Sequence, residues 1–461
     1  MTEDIFKGYK GHALEILQKF NVRVWGTTII ETTRGRFEGT VLPRAENTDD
    51  IHIVVKIATG YNIGVDTHTI KTMVETGYKK ANYKIPEKEF PYTKGLPSVK
   101  LLGTGGTIAS RLDYRTGAVI PAFSPGELYG AVPELADICN LTTEKIFAVF
   151  SENMGPKQYV ALAQAIGREI ENGVDGIVIG HGTDTLQHTA AAMTFMVQNS
   201  PVPIILVGSQ RSSDRPSSDA ALNLMHAMTA AGHSDIAEVL VCMFGPTSDE
   251  YGLLHRGTRV RKMHSSYRST FRTIGDTPLA MVTRKGVKIL KPEYNHRRKD
   301  RNVSIKPFFD DRVAMLYYYT GMKPDMLDSL VENGYKGVII VGTGLGHVNK
   351  EMYPAIERAH AAGVHIYMTV QTIWGYVHMF VYDTGRDMMA KGIIPAGNML
   401  PETAYIKLGW ALGQTDDPEE VKRIMLTPIN DEITEREPYN GYLVLQGGVP
   451  EVEEFIRKVH K

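Results

Sequence analysis

Two different rhythms of apolar and polar positions divide this chain. Before Asp66 the apolar residues come in short runs: Val22 to Thr32, Arg36 to Leu42, Ile51 to Lys56 and Tyr61 to Val65. Turn signals separate them at Arg34-Gly35, Glu46-Asn47-Thr48-Asp49-Asp50 and Gly60, so each run reads as a strand. An amphipathic segment from Tyr9 to Phe20 precedes them. Closely spaced short strands predict a small β-barrel. Residues 66–97 are lysine-rich and contain Pro86, Pro91 and Pro97, and they read as a linker.

From Ser98 the pattern changes. Apolar runs at Val99–Leu102, Gly176–Ile179, Ile204–Val207 and Val239–Met243 have the length and content of buried strands. Between them lie helical stretches at Lys157–Asn172, Leu186–Gln198 and Asp219–Ala231, the first opened by Pro156. This alternation predicts a parallel sheet with helices on both faces. A second series begins near Asp311, with strands at Val313–Tyr318, Gly337–Val341 and Val364–Thr369. Its helices are expected at Asp325–Glu332, Glu351–Ala361 and Pro401–Leu412, and the boundary between the two units within residues 284–310. The fold class is therefore α/β, a two-unit parallel-sheet architecture preceded by a small β-barrel.

Composition changes this picture little. The 461 residues are 43% hydrophobic and 22% charged, as in ordinary globular proteins. A net charge of −1 supplies no global field toward nucleic acid or membrane. No apolar run approaches the roughly 20 residues that span a bilayer, and the first residues lack a signal-peptide pattern. The expected compartment is the cytoplasm. Cys139 and Cys242 have no metal-ligand spacing and read as small core residues.

Three Gly/Thr-rich segments follow predicted strands: Gly103 to Ser110, Gly180 to Thr185 and Gly342 to His347. Ligands in open α/β sheets sit at the carboxyl ends of strands, where glycines let free backbone N–H groups approach an anion. A dinucleotide loop would need glycine at position 108, which is Ile108, and no GxxxxGK[ST] run is present. Threonine is a weak nucleophile that needs a base within reach, a role open to a lysine oriented by a carboxylate. Thr107, Thr183, Asp184 and Lys262 are candidates, although spacing alone does not bring them together. On its own, Lys262 in Arg259-Val260-Arg261-Lys262-Met263 reads equally as a solvated charge. His181, His188 and His347 lack metal-binding spacing, and no metal is expected. Arg297, Arg298, Lys299 and Arg301 could meet RNA phosphates but read first as a solvated connector. Tyr317–Tyr319 and Trp374-Gly375-Tyr376 could line a partner surface but read first as packing residues.

Thr104–Ser110 and His181–Thr185 resemble the two signature motifs of the L-asparaginase/glutaminase family. The resemblance continues through Asp184–Ala190, Pro203–Ser209, Asp219–Leu224, Ile394–Asn398 and Lys407–Gly413, roughly residues 98–428. It implies that Thr107, on a mobile loop, is the primary threonine and that Thr183, Asp184 and Lys262 form a relay. It implies that Ser151 holds the substrate's α-carboxylate and that Asp184 meets the α-amino group. Glu152, Gly106 and Gly182 are assigned with Ser151 to substrate binding. Many family members carry a tyrosine just after a glycine on the loop following the first motif. Here Gly117 is followed by Ala118, with Tyr114 nearby. Activation of Thr107 is therefore expected to depend on Tyr114, loop closure or another chain.

About 97 residues precede the first motif. Within them, Gly35 to Arg44 and Gly60 to Gly64 resemble the extra domain of GatD, the D-type subunit family of the archaeal glutamyl-tRNA(Gln) amidotransferases. That resemblance implies glutamine hydrolysis, with ammonia passed to the amidotransferase's E-type partner, which binds Glu-tRNA(Gln) and uses ATP and Mg. This chain itself is expected to bind no cofactor and to form a homodimer within a heterotetramer, meeting tRNA mainly through its partner. The expected organisation is a barrel domain over 1–70, a linker over 71–97, an active-site domain over 98–290, a second α/β domain over 311–428 and a tail over 429–461. A free-standing L-asparaginase with an extra N-terminal domain is the alternative within enzymes. A module that merely senses an amino acid is the alternative outside them.

Overall fold

The computed structural model describes residues 5–6, 8–44, 48–58, 62–78, 90–105, 110–113, 118–121, 132–211, 217–438 and 441. The chain opens with helix α1 (Gly11–Lys19) and five antiparallel strands, β1 (Gly26–Thr32), β2 (Gly35–Val41), β3 (His52–Ile57), β4 (Asn62–Asp66) and β5 (Ile70–Tyr78). Their order is β4-β3-β2-β1-β5. Alternation along β1 sends Thr28, Ile30 and Thr32 inward. Ile30, Val41, Ile53, Val55, Val65 and Met73 then pack beneath Ala13, Ile16 and Leu17 of α1. Tyr9 pins the helix entry, donating to Leu42 O at 2.7 Å and accepting from Val54 N at 3.0 Å.

Two expectations are corrected here. The sheet is not a closed barrel among the described residues, because β4 and β5 occupy opposite edges with no ladder between them. Its inner face is capped by α1 instead, through Ala13 N to Asp50 O at 2.7 Å and His12 to Thr67 at 2.8 Å. The stretch read as linker begins with β5, the nine-residue partner of β1. β5 is an edge strand that buries only Met73, so its Lys/Thr/Glu-rich sequence looks like a loop.

The central sheet follows. β6 (Ser98–Gly103) precedes a hairpin of β7 (Ser110–Asp113) and β8 (Ala118–Pro121), then β9 (Asn140–Lys145), helix α2 (Pro156–Glu171) and β10 (Gly176–Gly180). Helix α3 (Leu186–Met196) leads into short β11 (Val197–Gln198), which lies outside this sheet, and β12 (Ile204–Val207), helix α4 (Ala220–His233) and β13 (Val239–Phe244) complete the parallel part. The chain then turns antiparallel through β14 (Gly252–Arg256). The short β15 (Val260–Lys262) and β16 (Phe271–Thr273) form a hairpin, and β17 (Ala280–Thr283) and β18 (Gly286–Ile289) extend the sheet. The eight-stranded order is β18-β17-β14-β13-β12-β10-β6-β9. Every residue of β10, β12 and β13 is buried, as expected of strands covered on both faces. Ile177, Ile179, Ile204 and Leu206 meet α2 and α3 on one face, while Val178, Ile205, Val207 and Leu240 meet α4 on the other.

After β19 (Ser304–Ile305), which pairs with β11, a second parallel sheet is built. It consists of β20 (Val313–Tyr317), β21 (Gly337–Gly342), β22 (His365–Val370) and the two-residue β23 (Ile394–Pro395) in that order. Helices α5 (Asp325–Glu332), α6 (Tyr353–Ala361) and α7 (Asp383–Ala390) cover one face, and α8 (Pro401–Gln414) and α9 (Pro418–Leu426) the other. Helix α8 also packs on α3, where Trp410 stacks on Phe195 at 5.8 Å between centroids, so one helix serves both cores.

The basic run between the sheets is a connector whose Arg297 and Arg301 are half-buried and whose Arg298 is exposed, each bonded to backbone carbonyls. Arg297 donates to Ala231 O and Ser234 O at the end of α4, Arg298 to Asn199 O, and Arg301 to Val174 O just beyond α2. Helix ends leave carbonyls without partners, and the Arg297 guanidinium supplies donors to those at the end of α4. Cys139 and Cys242 are both buried and free.

Candidate functional site

The site lies where parallel strands β6 and β10 release the chain. Thr104 caps that edge: its backbone N–H (3.1 Å) and its hydroxyl (2.8 Å) both donate to Gly180 O. Gly105 follows with φ +112°, and a Cβ there would fall 2.3 Å from Val149 O, so the turn admits only glycine. Gly106, Thr107, Tyr114 and Gly117 lie outside the described residues.

The second loop is described throughout. His181 is fully buried, and its two ring nitrogens have distinct partners: Nδ1 lies 2.6 Å from Gly182 O and Nε2 lies 2.8 Å from Thr189 Oγ1. A carbonyl only accepts, so Nδ1 carries the proton and Nε2 accepts from the threonine. Burial pushes this imidazole down to about 4, keeping it neutral. The ring is thus a fixed strut beneath the loop. Gly182 presses on Ser151: a Cβ at 182 would come within 2.8 Å of Ser151 Cβ and 2.9 Å of its Oγ. The Thr185 hydroxyl donates to Ser151 O at 2.6 Å, joining the same two loops again.

Thr183 is buried and Asp184 faces solvent, its side chain 69% exposed. Lys262 reaches both from the end of β15, where it pairs with Phe271. Its ammonium donates to Thr183 Oγ1 at 2.9 Å and to Asp184 Oδ1 at 2.6 Å. A hydroxyl, an amine and a carboxylate are therefore in hydrogen-bonded sequence at the rim of a glycine-lined loop. That arrangement can move a proton off a threonine as it attacks, or off a water that follows. Ser151 is buried beside Gly182, and its neighbour Glu152 is exposed. The structure thus brings together Thr183, Asp184, Lys262, Gly182 and Ser151 on adjoining segments, while Glu152 is placed only as the exposed neighbour of Ser151.

Supporting residues to which the sequence reading gave no role adjoin this set. Asp219, at the start of α4, accepts from Gln210 N at 3.0 Å and Arg211 N at 2.9 Å, and Asn223 donates to Gly208 O at 3.0 Å. Together they hold the loop after β12. The Asp219–Leu224 stretch of the resemblance carried that signal, since Asp219 and Asn223, four apart, share a helix face. Among the described residues no group of three or more His, Cys, Asp or Glu is placed to hold a metal ion.

Comparison with known proteins adds a family to this geometry. Residues 98–295 match the family Asparaginase, N-terminal, and residues 312–425 the Glutaminase/Asparaginase C-terminal domain. Residues 26–74, which span β1 to β4 and part of β5, match the GatD N-terminal domain. The D-type glutamyl-tRNA(Gln) amidotransferase subunit of Thermococcus kodakarensis is 49% identical over 408 residues, covering 88% of this chain and 92% of that protein. The chain belongs to the GatD family of glutamyl-tRNA(Gln) amidotransferase subunits. The GatD protein of Methanothermobacter thermautotrophicus is 45% identical over 93% of this chain and 98% of its own length. Among solved structures, the thermostable L-asparaginase from Thermococcus kodakarensis superposes with a TM-score of 0.64 at 31% identity. It covers 73% of this chain and 99% of its own. L-asparaginase I from Vibrio cholerae gives the same TM-score and coverage at 25% identity. The asparaginase-like two-unit fold and the GatD resemblance read from the motifs are both borne out. No helix among the described residues is long and apolar enough to cross a membrane.

Proposed function

We propose that this chain is the glutaminase subunit of a tRNA-dependent amidotransferase. It hydrolyses the side-chain amide of glutamine to glutamate and ammonia. The ammonia passes to the amidotransferase's E-type partner, which uses ATP and Mg to convert Glu-tRNA(Gln) to Gln-tRNA(Gln). The nucleotide, its metal and most of the tRNA contact belong to that partner, and this chain works in the cytoplasm as a homodimer within a heterotetramer.

One observation carries the reading: Lys262 bridges Thr183 and Asp184 in a chain that also bears the GatD N-terminal sheet. Glutamine enters with its α-carboxylate toward Ser151, its α-amino group toward Asp184, and Gly106, Gly182 and Glu152 around it. A threonine hydroxyl, from Thr107 or Thr183, attacks the amide carbon. Its proton moves through Lys262 to the leaving nitrogen, the C–N bond breaks and ammonia departs. Water then cleaves the acyl-enzyme ester, restoring the hydroxyl and releasing glutamate. Backbone N–H groups of the glycine loops face the developing oxyanion.

The test measures ammonia release from glutamine and from asparagine by the pure chain and by its complex with the E-type partner and Glu-tRNA(Gln). Partner-stimulated glutaminase activity that Thr107→Ala and Thr183→Val both abolish is expected. Strong asparagine hydrolysis by the chain alone would establish the free-standing asparaginase instead. Full ammonia release in both variants would leave only amino-acid sensing.

A further inference from the structure

Lys262 has a second environment, behind the strand that carries it. Arg259, three positions earlier, is 1% exposed, and its guanidinium donates its hydrogen bonds across to the C-terminal unit. Its Nη1 meets Asn398 O at 2.9 Å, its Nη2 meets Asn398 Oδ1 at 3.0 Å, and its Nε meets Asp431 O at 2.7 Å. The neighbours of Arg259 are held from the same side. Thr258 donates to Asn430 O at 2.7 Å, and Thr403 donates to Thr258 O at 3.0 Å. Arg261 lies 3.5 Å from the buried Glu402.

What grips these residues is a strap formed by residues 429–437. Glu432 is fully buried, pairs with Lys407 at 2.5 Å and accepts the backbone N–H of Ile429 and of Asn430. This folds the strap into a tight turn. Asp431, in the left-handed region at φ 54°, then offers its carbonyl to Arg259 and its carboxylate to Arg256. Beyond the turn Thr434 exchanges hydrogen bonds with the Asn398 side chain at 3.0 and 2.8 Å. Glu437 accepts from Gly375 N at 3.3 Å.

Among the described residues β15 pairs only with the equally short β16, and of its three side chains only Val260 is buried in the core, so the polar contacts of Arg259 and its neighbours are what tie this short strand to the C-terminal unit. We propose that Arg259 is a positioning residue for Lys262, fixing the strand so that the strap at 429–437 sets where the amine lies relative to Thr183 and Asp184. The inference rests on the glutaminase reading above and extends it to regulation: whatever loosens the strap displaces the amine and slows chemistry while the substrate's own contacts remain.

The experiment is a double-substitution cycle in the full complex, reading kcat and KM for glutamine. Arg259→Gln is expected to lower kcat by about 100-fold, the effect of a misplacement of order 1 Å, with KM within about twofold, and Arg259→Lys to recover part of the loss. In the Lys262→Met background the added Arg259→Gln should change the residual rate little, because a residue acting through Lys262 has nothing left to act on. Thr434→Val, which leaves every charge in place, should shift kcat in the same direction by a smaller factor and show the same dependence on Lys262. It carries the test should Arg259→Gln not fold. Equal losses in both backgrounds, or an unchanged kcat in Thr434→Val and Arg259→Gln alike, would overturn the proposal. A wild-type complex without glutaminase activity would instead sink the functional reading on which it rests.

Discussion

The contact between Gly182 and Ser151 allows a sharp test of the substrate pocket. In Gly182→Ala the new methyl carbon would lie 2.8 Å from Ser151 Cβ and 2.9 Å from its Oγ. Carbon atoms rest at about 3.5–4.0 Å, so Ser151 must withdraw by about 1 Å. Overpacking of this kind costs about 1–3 kcal/mol of stability. The functional loss adds to that. A hydroxyl that binds a carboxylate contributes about 1.5–3 kcal/mol, so kcat/KM for glutamine should fall about 10- to 150-fold, mostly as a rise in KM. Ammonia release by the full complex over a range of glutamine concentrations gives both constants, and a thermal melt gives the stability loss. A variant that melts earlier yet keeps its KM would show that Ser151 does not face the substrate. A variant unchanged in both would show that the two loops are not in contact.

Lys262→Met should lower kcat for glutamine by about 100- to 10,000-fold, the usual contribution of a positioned proton carrier. A rate within a factor of a few of wild type would remove the lysine from the mechanism. Acid should weaken the fold through His181, His226 and His255, which burial pushes down to about 4, 4 and 3. Each binds a proton more readily when unfolded, so stability is full above about pH 6.5 and is lost as pH falls toward 4. By pH 5 the loss is about 2 kcal/mol for each histidine, and urea unfolding that gave the same stability at pH 8 and pH 5 would contradict it. Arg297→Ala strips donors from Ala231 O and Ser234 O and should destabilise the chain by about 1–3 kcal/mol without changing KM. A melting temperature equal to wild type would refute the capping role.

The elements legible in the sequence were those with one dominant cause. Strands β10, β12 and β13 are buried on both faces, so they read as unbroken apolar runs, and α5 fell at Asp325–Glu332 as expected. Strand β5 failed because an edge strand with one inward residue has no periodicity to detect. The antiparallel strands β14 to β18 were missed for a related reason. Their arginines, lysines and histidines look solvated, yet His255, Arg256 and Arg259 are buried against partners from distant segments. The site shows the same limit. Thr183 and Lys262 are 79 positions apart and Asp184 and Lys262 are 78 apart, and no local pattern encodes their meeting. Only the motif resemblance nominated them together. The strap at 429–437 reads as a charged tail, because Asp431 and Glu432 meet their arginine and lysine partners only in three dimensions.

The connector arginines have a consequence for how the chain comes apart. A loose tether between two sheets would let them swing freely and would offer a protease an open site. Here Arg297 is bonded to the final turn of α4 and Arg301 to the peptides that follow α2, so lifting the connector away would also strip those segments of the first unit of their donors. Release of the connector is therefore coupled to opening of the first unit, and limited digestion near residues 297–301 should proceed only as fast as that unit opens.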